Sequence, residues 1–166
     1  MCPILRIGLV ILTILIGGSW SRAQAADSVV GNWRLVSWAE EETETEKLVT
    51  AFFGDEPVGV LTYTSDGRMS LFLANPKRKP PAAPKATDAE AADLYRTMIA
   101  YSGSYSIDGN KVSHKVEFSW NQAWTGTAQQ RFIELKGDQL TIRTPPLISA
   151  LSGKEIVATL VWERIK

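Results

Sequence analysis

The sequence predicts an all-β fold, an antiparallel β-barrel of about eight to ten strands with one inserted amphipathic helix. Three observations support this prediction: short segments of alternating apolar and polar residues, glycine-containing turns between them, and one stretch of helical periodicity. A meander of strands with one apolar face each can bury those faces by closing, which also removes exposed sheet edges. The predicted strands are residues 32–39, 47–52, 58–64, 68–73, 103–107, 111–120, 128–135, 139–143 and 155–165.

Three turns between predicted strands contain a glycine. They are Ser65-Asp66-Gly67, Asp108-Gly109-Asn110 and Lys136-Gly137-Asp138. Glycine adopts the positive φ that tight hairpin turns require, so these turns predict antiparallel pairing of consecutive strands.

One region departs from the strand pattern. Residues 77–84 are basic and rich in proline, which excludes a central strand. Thr87 and Glu90 then match a capping box, the usual start of a helix. The apolar residues that follow at helical spacing are Ala91, Leu94, Tyr95, Met98 and Ile99. We expect an amphipathic helix over about residues 88–99, with this stripe buried against the mouth or the wall of the barrel.

The first 25 residues have the features of a signal peptide. Arg6 precedes an apolar core at residues 7–16, and Ala23-Gln24-Ala25 is a small-x-small cleavage site. The core is shorter than the roughly 20 residues that a membrane span needs, so no permanent membrane anchor is expected. We therefore expect an exported protein, periplasmic or secreted, whose barrel domain is residues 26–166. Cleavage would also remove Cys2, the only cysteine, and with it any disulfide or thiolate chemistry.

The composition of the mature chain excludes several classes of function. Removal of Arg6 and Arg22 leaves 16 basic and 18 acidic residues, a net charge of −2, so no nucleic-acid partner is expected. No glycine-rich phosphate loop follows a strand, and one histidine without cysteine predicts no metal site and no cofactor. The acidic run at residues 40–46 is interpreted as a solvated hairpin loop rather than a cation site.

The best candidates for a binding site are His114 and Arg131. Strand alternation places His114 on one face with Val112 and Val116, and with Phe118 and Trp120 further along. Burial would keep its imidazole neutral. Three roles are then open for His114. It is a core histidine hydrogen-bonded to the backbone or to a tyrosine, or it contacts a ligand, or it transfers a proton.

Arg131 shares a face with Ile133 and Leu135, which predicts an inward guanidinium. A buried guanidinium needs a carboxylate, a set of carbonyl groups or an anionic ligand group. Two roles are therefore open for Arg131, a structural salt bridge and recognition of a ligand carboxylate or phosphate.

Other candidates would form the wall of an apolar pocket. No catalytic residue is assigned, since Ser113 and Ser119 face away from His114 and no Gly-x-Ser-x-Gly turn is present. A pair of inward carboxylates, which glycoside hydrolysis needs, is not predicted either. The candidate wall residues are Tyr63, Met69, Tyr101, Tyr105, Phe118, Trp120 and Trp124.

Several stretches of the chain match one family in the same order along the sequence. They are residues 31–37, 53–54, 59–69, 100–105, 108–109, 112–114, 124–127, 130–131, 140–146 and 161–164. In these stretches the chain resembles the bacterial and fungal lipocalin-like domain family, a group distinct from the lipocalins proper. Members often carry a second histidine directly after the one that matches His114, where this chain has Lys115.

The resemblance implies a small β-barrel with an internal cavity. It also implies that Trp33 of the Gly31-Asn32-Trp33 motif closes one end of the barrel, with Arg164 stacked across its indole. The expected function is binding of a small hydrophobic molecule that carries an acidic or a carbonyl group. Two alternatives remain open: an isomerase or cyclase that uses His114 as acid and base, and a structural module whose barrel is filled by side chains. The sequence leaves the oligomeric state open.

Overall fold

The structure is a computed structural model that describes residues 29–50 and 56–166. The predicted signal peptide, the end of the second predicted strand and the family match at residues 53–54 lie outside the described residues. Within the described part, no helix is long and apolar enough to cross a membrane.

The described residues form ten strands and one α-helix. The helix, α1, spans Asp88–Arg96, and a 3-10 helix spans Gln122–Trp124. The strands are β1 (Gly31–Glu42), β2 (Leu48–Thr50), β3 (Val58–Tyr63), β4 (Arg68–Ala74), β5 (Met98–Asp108), β6 (Lys111–Ser119), β7 (Ala128–Lys136), β8 (Gln139–Arg143), β9 (Leu147–Ile148) and β10 (Glu155–Arg164).

Eight of these strands close into an antiparallel barrel. Their order is β1-β3-β4-β5-β6-β7-β8-β10, and β10 pairs again with β1. The short strands β2 and β9 extend the edges of β1 and β10. Positive φ angles at Gly67, Gly109 and Gly137 allow the three predicted turns. The predicted all-β barrel is confirmed, and closure explains why each strand has one buried face.

A β-bulge in β1 changes which of its residues face inward. Leu35 pairs with Trp162 and Ser37 with Val161, so Val36 is an extra residue on this strand. Trp33 and Leu35 are buried before the bulge, whereas Trp38 and Glu40 are buried after it. The extra residue reverses the alternation, because a one-residue shift moves every following side chain to the other face.

A second bulge lies in β6 at Glu117. Gly103 pairs with Val116 and Ser102 with Phe118, which leaves Glu117 unpaired. Gly103 permits this close approach, since a Cβ atom there would lie 1.9 Å from the Lys115 carbonyl oxygen. Val112, His114 and Val116 are buried as predicted.

The prediction that Phe118 faces inward is wrong. Its side chain lies beyond the bulge at Glu117 and is 70% exposed. The bulge therefore ends the inward face of β6 at Val116.

The helix differs from its prediction at its C-terminal end. The predicted capping box between Thr87 and Glu90 is present. The helix ends at Arg96, however, and Ile99 belongs to β5, where it pairs with Leu73 of β4. No residue of α1 is fully buried, so the prediction of a buried apolar stripe is wrong. Pairing with β4 extends β5 back to Met98, because it satisfies the backbone groups of this segment and buries Ile99.

Trp33 closes one end of the barrel. Its indole is fully buried and its Nε1–H donates to the Val29 carbonyl oxygen at 2.9 Å. The Arg164 guanidinium lies 4.1 Å from the centre of the indole ring and donates to the Val30 carbonyl oxygen at 2.7 Å. Gly31 has φ +142°, and a Cβ there would lie 2.7 Å from Arg164 Nη1. The motif Gly31-Asn32-Trp33 therefore provides both the plug and the space for the arginine above it.

Candidate functional site

A cavity lies in the half of the barrel away from Trp33. On β1 it is lined by residues beyond the bulge, Trp38 and Glu40, and on β10 by Ala158, Leu160 and Trp162. The opposite wall comes from β4 to β8, and the segment at residues 147–151 borders the cavity as well. The polar side chains on its wall are Glu40, Tyr101, His114, Arg131, Thr144 and Ser149.

The cavity is narrow and mostly apolar. The cavity volume is about 70 Å³, and the surrounding free space is about 640 Å³ when the part open to solvent is included. Leu71, Ile142 and Leu160 are among its aliphatic lining residues. Pockets that bind small molecules share this design, in which an apolar wall carries a few convergent polar groups. The dimensions favour a compact ligand.

Two tyrosines hold His114. The Tyr63 hydroxyl lies 2.7 Å from Nε2, and the Tyr101 hydroxyl lies 3.0 Å from Nδ1. His114 is 1% exposed, and burial with the nearby charge of Arg131 lowers its pKa from 6.5 to about 3. The imidazole is therefore neutral at ordinary pH, and each ring nitrogen has a hydroxyl partner, as the core-histidine alternative required.

The hydrogen-bond partners of Tyr63 decide which nitrogen carries the proton. Among the described residues, Nε2 of His114 is the one acceptor within reach of the buried Tyr63 hydroxyl. Tyr63 must donate to it, because a buried donor without a partner costs about 1–3 kcal/mol. Nδ1–H then donates to the oxygen of Tyr101. The hydroxyl proton of Tyr101, a residue on the cavity wall, is left for an acceptor in the cavity.

Arg131 is buried without a carboxylate. It is 8% exposed, and its guanidinium donates to the Gln130 carbonyl oxygen at 2.6 Å and weakly to Gln129 Oε1 at 3.4 Å. Within residues 29–50 and 56–166, no acidic side chain forms an ion pair with it. The guanidinium also forms a side-chain hydrogen bond with the Tyr101 hydroxyl, so within the described residues Arg131 is held by neutral groups and not by a salt bridge.

Glu40 is a site residue that the sequence interpretation missed. The acidic run was assigned to a solvated loop, but β1 continues to Glu42, and Glu40 is 6% exposed on the cavity wall. Burial raises the pKa of its carboxyl group. The exposed turn begins only after β1, around Glu44 and Thr45. The sequence did contain an indication of this burial. One face of a regular strand cannot contain Trp33, Leu35 and Trp38 together, and a bulge that buries Trp38 also buries Glu40.

The predicted wall residues occupy three different places. Tyr101 and Trp124 line the cavity with His114 and Arg131. Tyr63 lies behind His114, and Met69 is buried in the core outside the cavity wall.

The remaining predicted wall residues do not border the cavity. Tyr105 packs on Tyr63 and donates to the Thr64 carbonyl oxygen at 3.0 Å. Trp120 packs edge-on against Trp124, with ring centres 4.9 Å apart. Phe118 is on the outer surface.

Comparisons with known proteins agree with this architecture. Residues 30–165 match a family model described as a lipocalin-like domain. A relative in Aspergillus oryzae, described as the 4'-hydroxy-3'-methoxypropiophenone carrier protein ppsC, is 35% identical over 88 residues. That alignment covers 48% of this chain and 78% of the fungal protein.

Proposed function

This chain belongs to the lipocalin-like domain family, and on that premise we propose that it is an exported carrier of a small hydrophobic molecule bound in the barrel cavity. The observation that carries the proposal is the buried Arg131, which faces an apolar cavity without a carboxylate partner. A charge removed from water in this way is expensive unless another group satisfies it. A ligand with an acidic or a carbonyl group would supply that group.

The ligand of the fungal relative suggests a chemical class. The name of that protein specifies a propiophenone, an aromatic ketone with hydroxyl and methoxy substituents. We extend to this chain only the general class, a compact aromatic or aliphatic carbonyl compound. Its apolar body would gain about 25 cal/mol for each Å² buried against Leu71, Ile142 and Leu160.

The alternatives gain less support from the geometry. An isomerase or cyclase that used His114 would need an imidazole able to exchange protons with the ligand. Both nitrogens of His114 are bonded to tyrosines, and its pKa of about 3 makes it a poor proton acceptor at neutral pH. A structural module with a filled barrel would leave no cavity beside Arg131 and Glu40.

Ligand binding can be tested by fluorescence, because Trp38, Trp124 and Trp162 line the cavity. Titration with 4'-hydroxy-3'-methoxypropiophenone is expected to quench tryptophan emission to saturation. Ala158→Phe should weaken this binding by about tenfold or more, since Ala158 is buried on the cavity wall and the added ring would fill the space.

Ala128→Phe is the matched control, because it adds the same ring at an exposed position of β7. It should bind as the wild type does. Circular dichroism would confirm that both variants are folded. Equal quenching in the wild type and in Ala158→Phe would place the binding outside the cavity and contradict the proposal.

Export is the second part of the proposal, and it rests on Arg6, the apolar core at residues 7–16 and the Ala23-Gln24-Ala25 site. Protein recovered from the producing cells should begin at Ala26. N-terminal sequencing measures this directly. A folded product that still contained Met1 and Cys2 would rule out cleavage at this site.

A further inference from the structure

We propose that the cavity recognises opposite ends of its ligand with two different groups. Arg131 and Tyr101 hold a carbonyl oxygen at one end, and the Glu40 carboxylate accepts a hydrogen bond from a hydroxyl group at the other. The ligand class is thus a compact, neutral hydroxylated carbonyl compound with an apolar body between its two polar groups. This inference rests on the proposed function, because it specifies the ligand of the same cavity.

Glu40 and Arg131 share the cavity without neutralising each other. Glu40 lies on β1 where that strand pairs with Ala158 of β10, and Arg131 lies on β7 where it pairs with Val112 of β6. Strands β8 and β10 separate β1 from β7 around the barrel. No ion pair joins the two side chains, and the raised pKa of Glu40 has burial as its cause, with no contribution from Arg131. The two charges therefore need separate partners.

The Arg131 end of the cavity presents hydrogen-bond donors. A guanidinium has five N–H donors, and the hydrogen bonds of Arg131 to Gln129, Gln130 and the Tyr101 hydroxyl are fewer than five. The Tyr101 hydroxyl proton is also available, because His114 Nδ1–H donates to the Tyr101 oxygen. Two donors on one side of an apolar space match a carbonyl oxygen, which has two lone pairs.

The Glu40 end presents an acceptor. Among the described residues, no side chain or backbone group forms a hydrogen bond with the Glu40 carboxyl group, although it is 6% exposed. Thr144 and Ser149 line the same cavity, and their hydroxyl oxygens accept backbone N–H groups from Ala158 and from Leu151 and Ser152, but neither hydroxyl group forms a hydrogen bond with Glu40. A ligand hydroxyl would supply the missing donor to Glu40.

Burial favours a neutral ligand. A molecule with a hydroxyl and a carbonyl brings no charge of its own into the cavity, whereas the carboxylate of an acid or the ammonium group of an amine would have to be removed from water.

The test uses three probes of almost the same shape. para-Hydroxypropiophenone carries both polar groups, para-methoxypropiophenone lacks the hydroxyl proton, and para-propylphenol lacks the carbonyl. Their affinities are measured by displacement of anilinonaphthalene sulfonate, a general probe of apolar cavities. The wild type should bind the first compound about tenfold or more tightly than either of the others.

Two variants assign each preference to its residue. Glu40→Leu should reduce the preference for hydroxyl over methoxy to within about twofold and leave the carbonyl preference intact. Arg131→Met should do the reverse. Both replace a buried charged side chain, which forms no ion pair within the described part of the chain, by an apolar one, so no opposite charge is left unpaired. Glu40→Gln is a second variant in case the leucine does not fit.

Matched controls are Glu41→Leu and Arg143→Met, because Glu41 and Arg143 are exposed neighbours on β1 and β8. Both should keep the wild-type preferences.

The outcomes separate this inference from the proposed function. If all three probes displace anilinonaphthalene sulfonate equally well, the cavity binds ligands but two-ended recognition is wrong. If the dye binds and no probe displaces it, two-ended recognition is wrong as well. If the wild type shows both preferences and they persist in Glu40→Leu and in Arg131→Met, these residues do not recognise the hydroxyl and carbonyl groups of the ligand. If neither the dye nor any probe binds, the proposed function itself fails.

Discussion

Replacement of Trp33 by alanine is expected to lower the free energy of unfolding by about 3–5 kcal/mol. The indole is fully buried at the closed end of the barrel, so its removal leaves a cavity that the rigid sheet cannot fill. The change also removes the hydrogen bond to the Val29 carbonyl oxygen and the surface on which Arg164 stacks at 4.1 Å. Urea denaturation at neutral pH measures the difference.

Two further variants provide a comparison for the loss of stability in Trp33→Ala. Arg164→Ala should lower stability by about 1 kcal/mol, since it removes the stacking and packing of the guanidinium but keeps the plug. Phe118→Ala removes a large aromatic side chain that is 70% exposed, and its effect should lie within about 0.5 kcal/mol. A Trp33→Ala protein as stable as the wild type would show that Trp33 does not close the barrel.

Acidification is expected to destabilise the protein through His114. In the folded state burial lowers the pKa of His114 to about 3 from an ordinary value of 6.5. Below pH 6.5 the unfolded chain therefore binds a proton that the folded chain does not, and stability falls as pH falls. The slope approaches about 1.4 kcal/mol per pH unit, so the loss between pH 7 and pH 5 is about 2 kcal/mol.

Other groups titrate in acid, and a variant separates their effects. The lowered pKa values of Glu42, Asp66 and Glu117 also reduce stability, but mainly below pH 4.5, whereas the raised pKa of Glu40 acts in the opposite direction. His114→Phe keeps an aromatic ring and removes the titrating group. Its unpaired tyrosine hydroxyls should cost a pH-independent amount of about 1–3 kcal/mol each.

The difference between the wild-type and His114→Phe stabilities should therefore shrink from pH 7 to pH 5. Parallel stability curves over this range would contradict the assignment. NMR titration gives a second measurement, and His114 should show no transition near pH 6.5.

The barrel could be predicted from the sequence because the strands and turns each have a local sequence pattern. Alternation identified the strands, and glycines such as Gly67 and Gly137 marked the turns, where φ is positive in the structure. The capping box at Thr87 and Glu90 located the start of α1. The end of the helix was missed, because Ile99 fits a helical stripe as well as it fits a strand, and only its pairing with Leu73 decides between them.

The site was predicted in part. Simple alternation was enough for His114 and Arg131, since no bulge precedes either residue on its strand. Alternation failed for Phe118, which lies beyond the extra residue Glu117. Glu40, which lies beyond the extra residue Val36, was assigned to a solvated loop. A bulge depends on the register between two strands, so a single segment of sequence does not reveal it directly. That no acidic side chain in the described part of the chain forms an ion pair with Arg131 is likewise a property of the folded barrel.

The pairing that closes the barrel also determines when folding can be completed. β1 and β10 are the first and last strands of the barrel, and Trp33 lies opposite Arg164. Among the barrel contacts, this pairing joins the residues that lie farthest apart in sequence. Its formation therefore costs the most loop-closure entropy, and that cost comes before the contacts can stabilise the barrel. The edges of β1 and β8 stay open until β10 pairs with both of them. A chain that lacks β10 therefore cannot form the closed barrel.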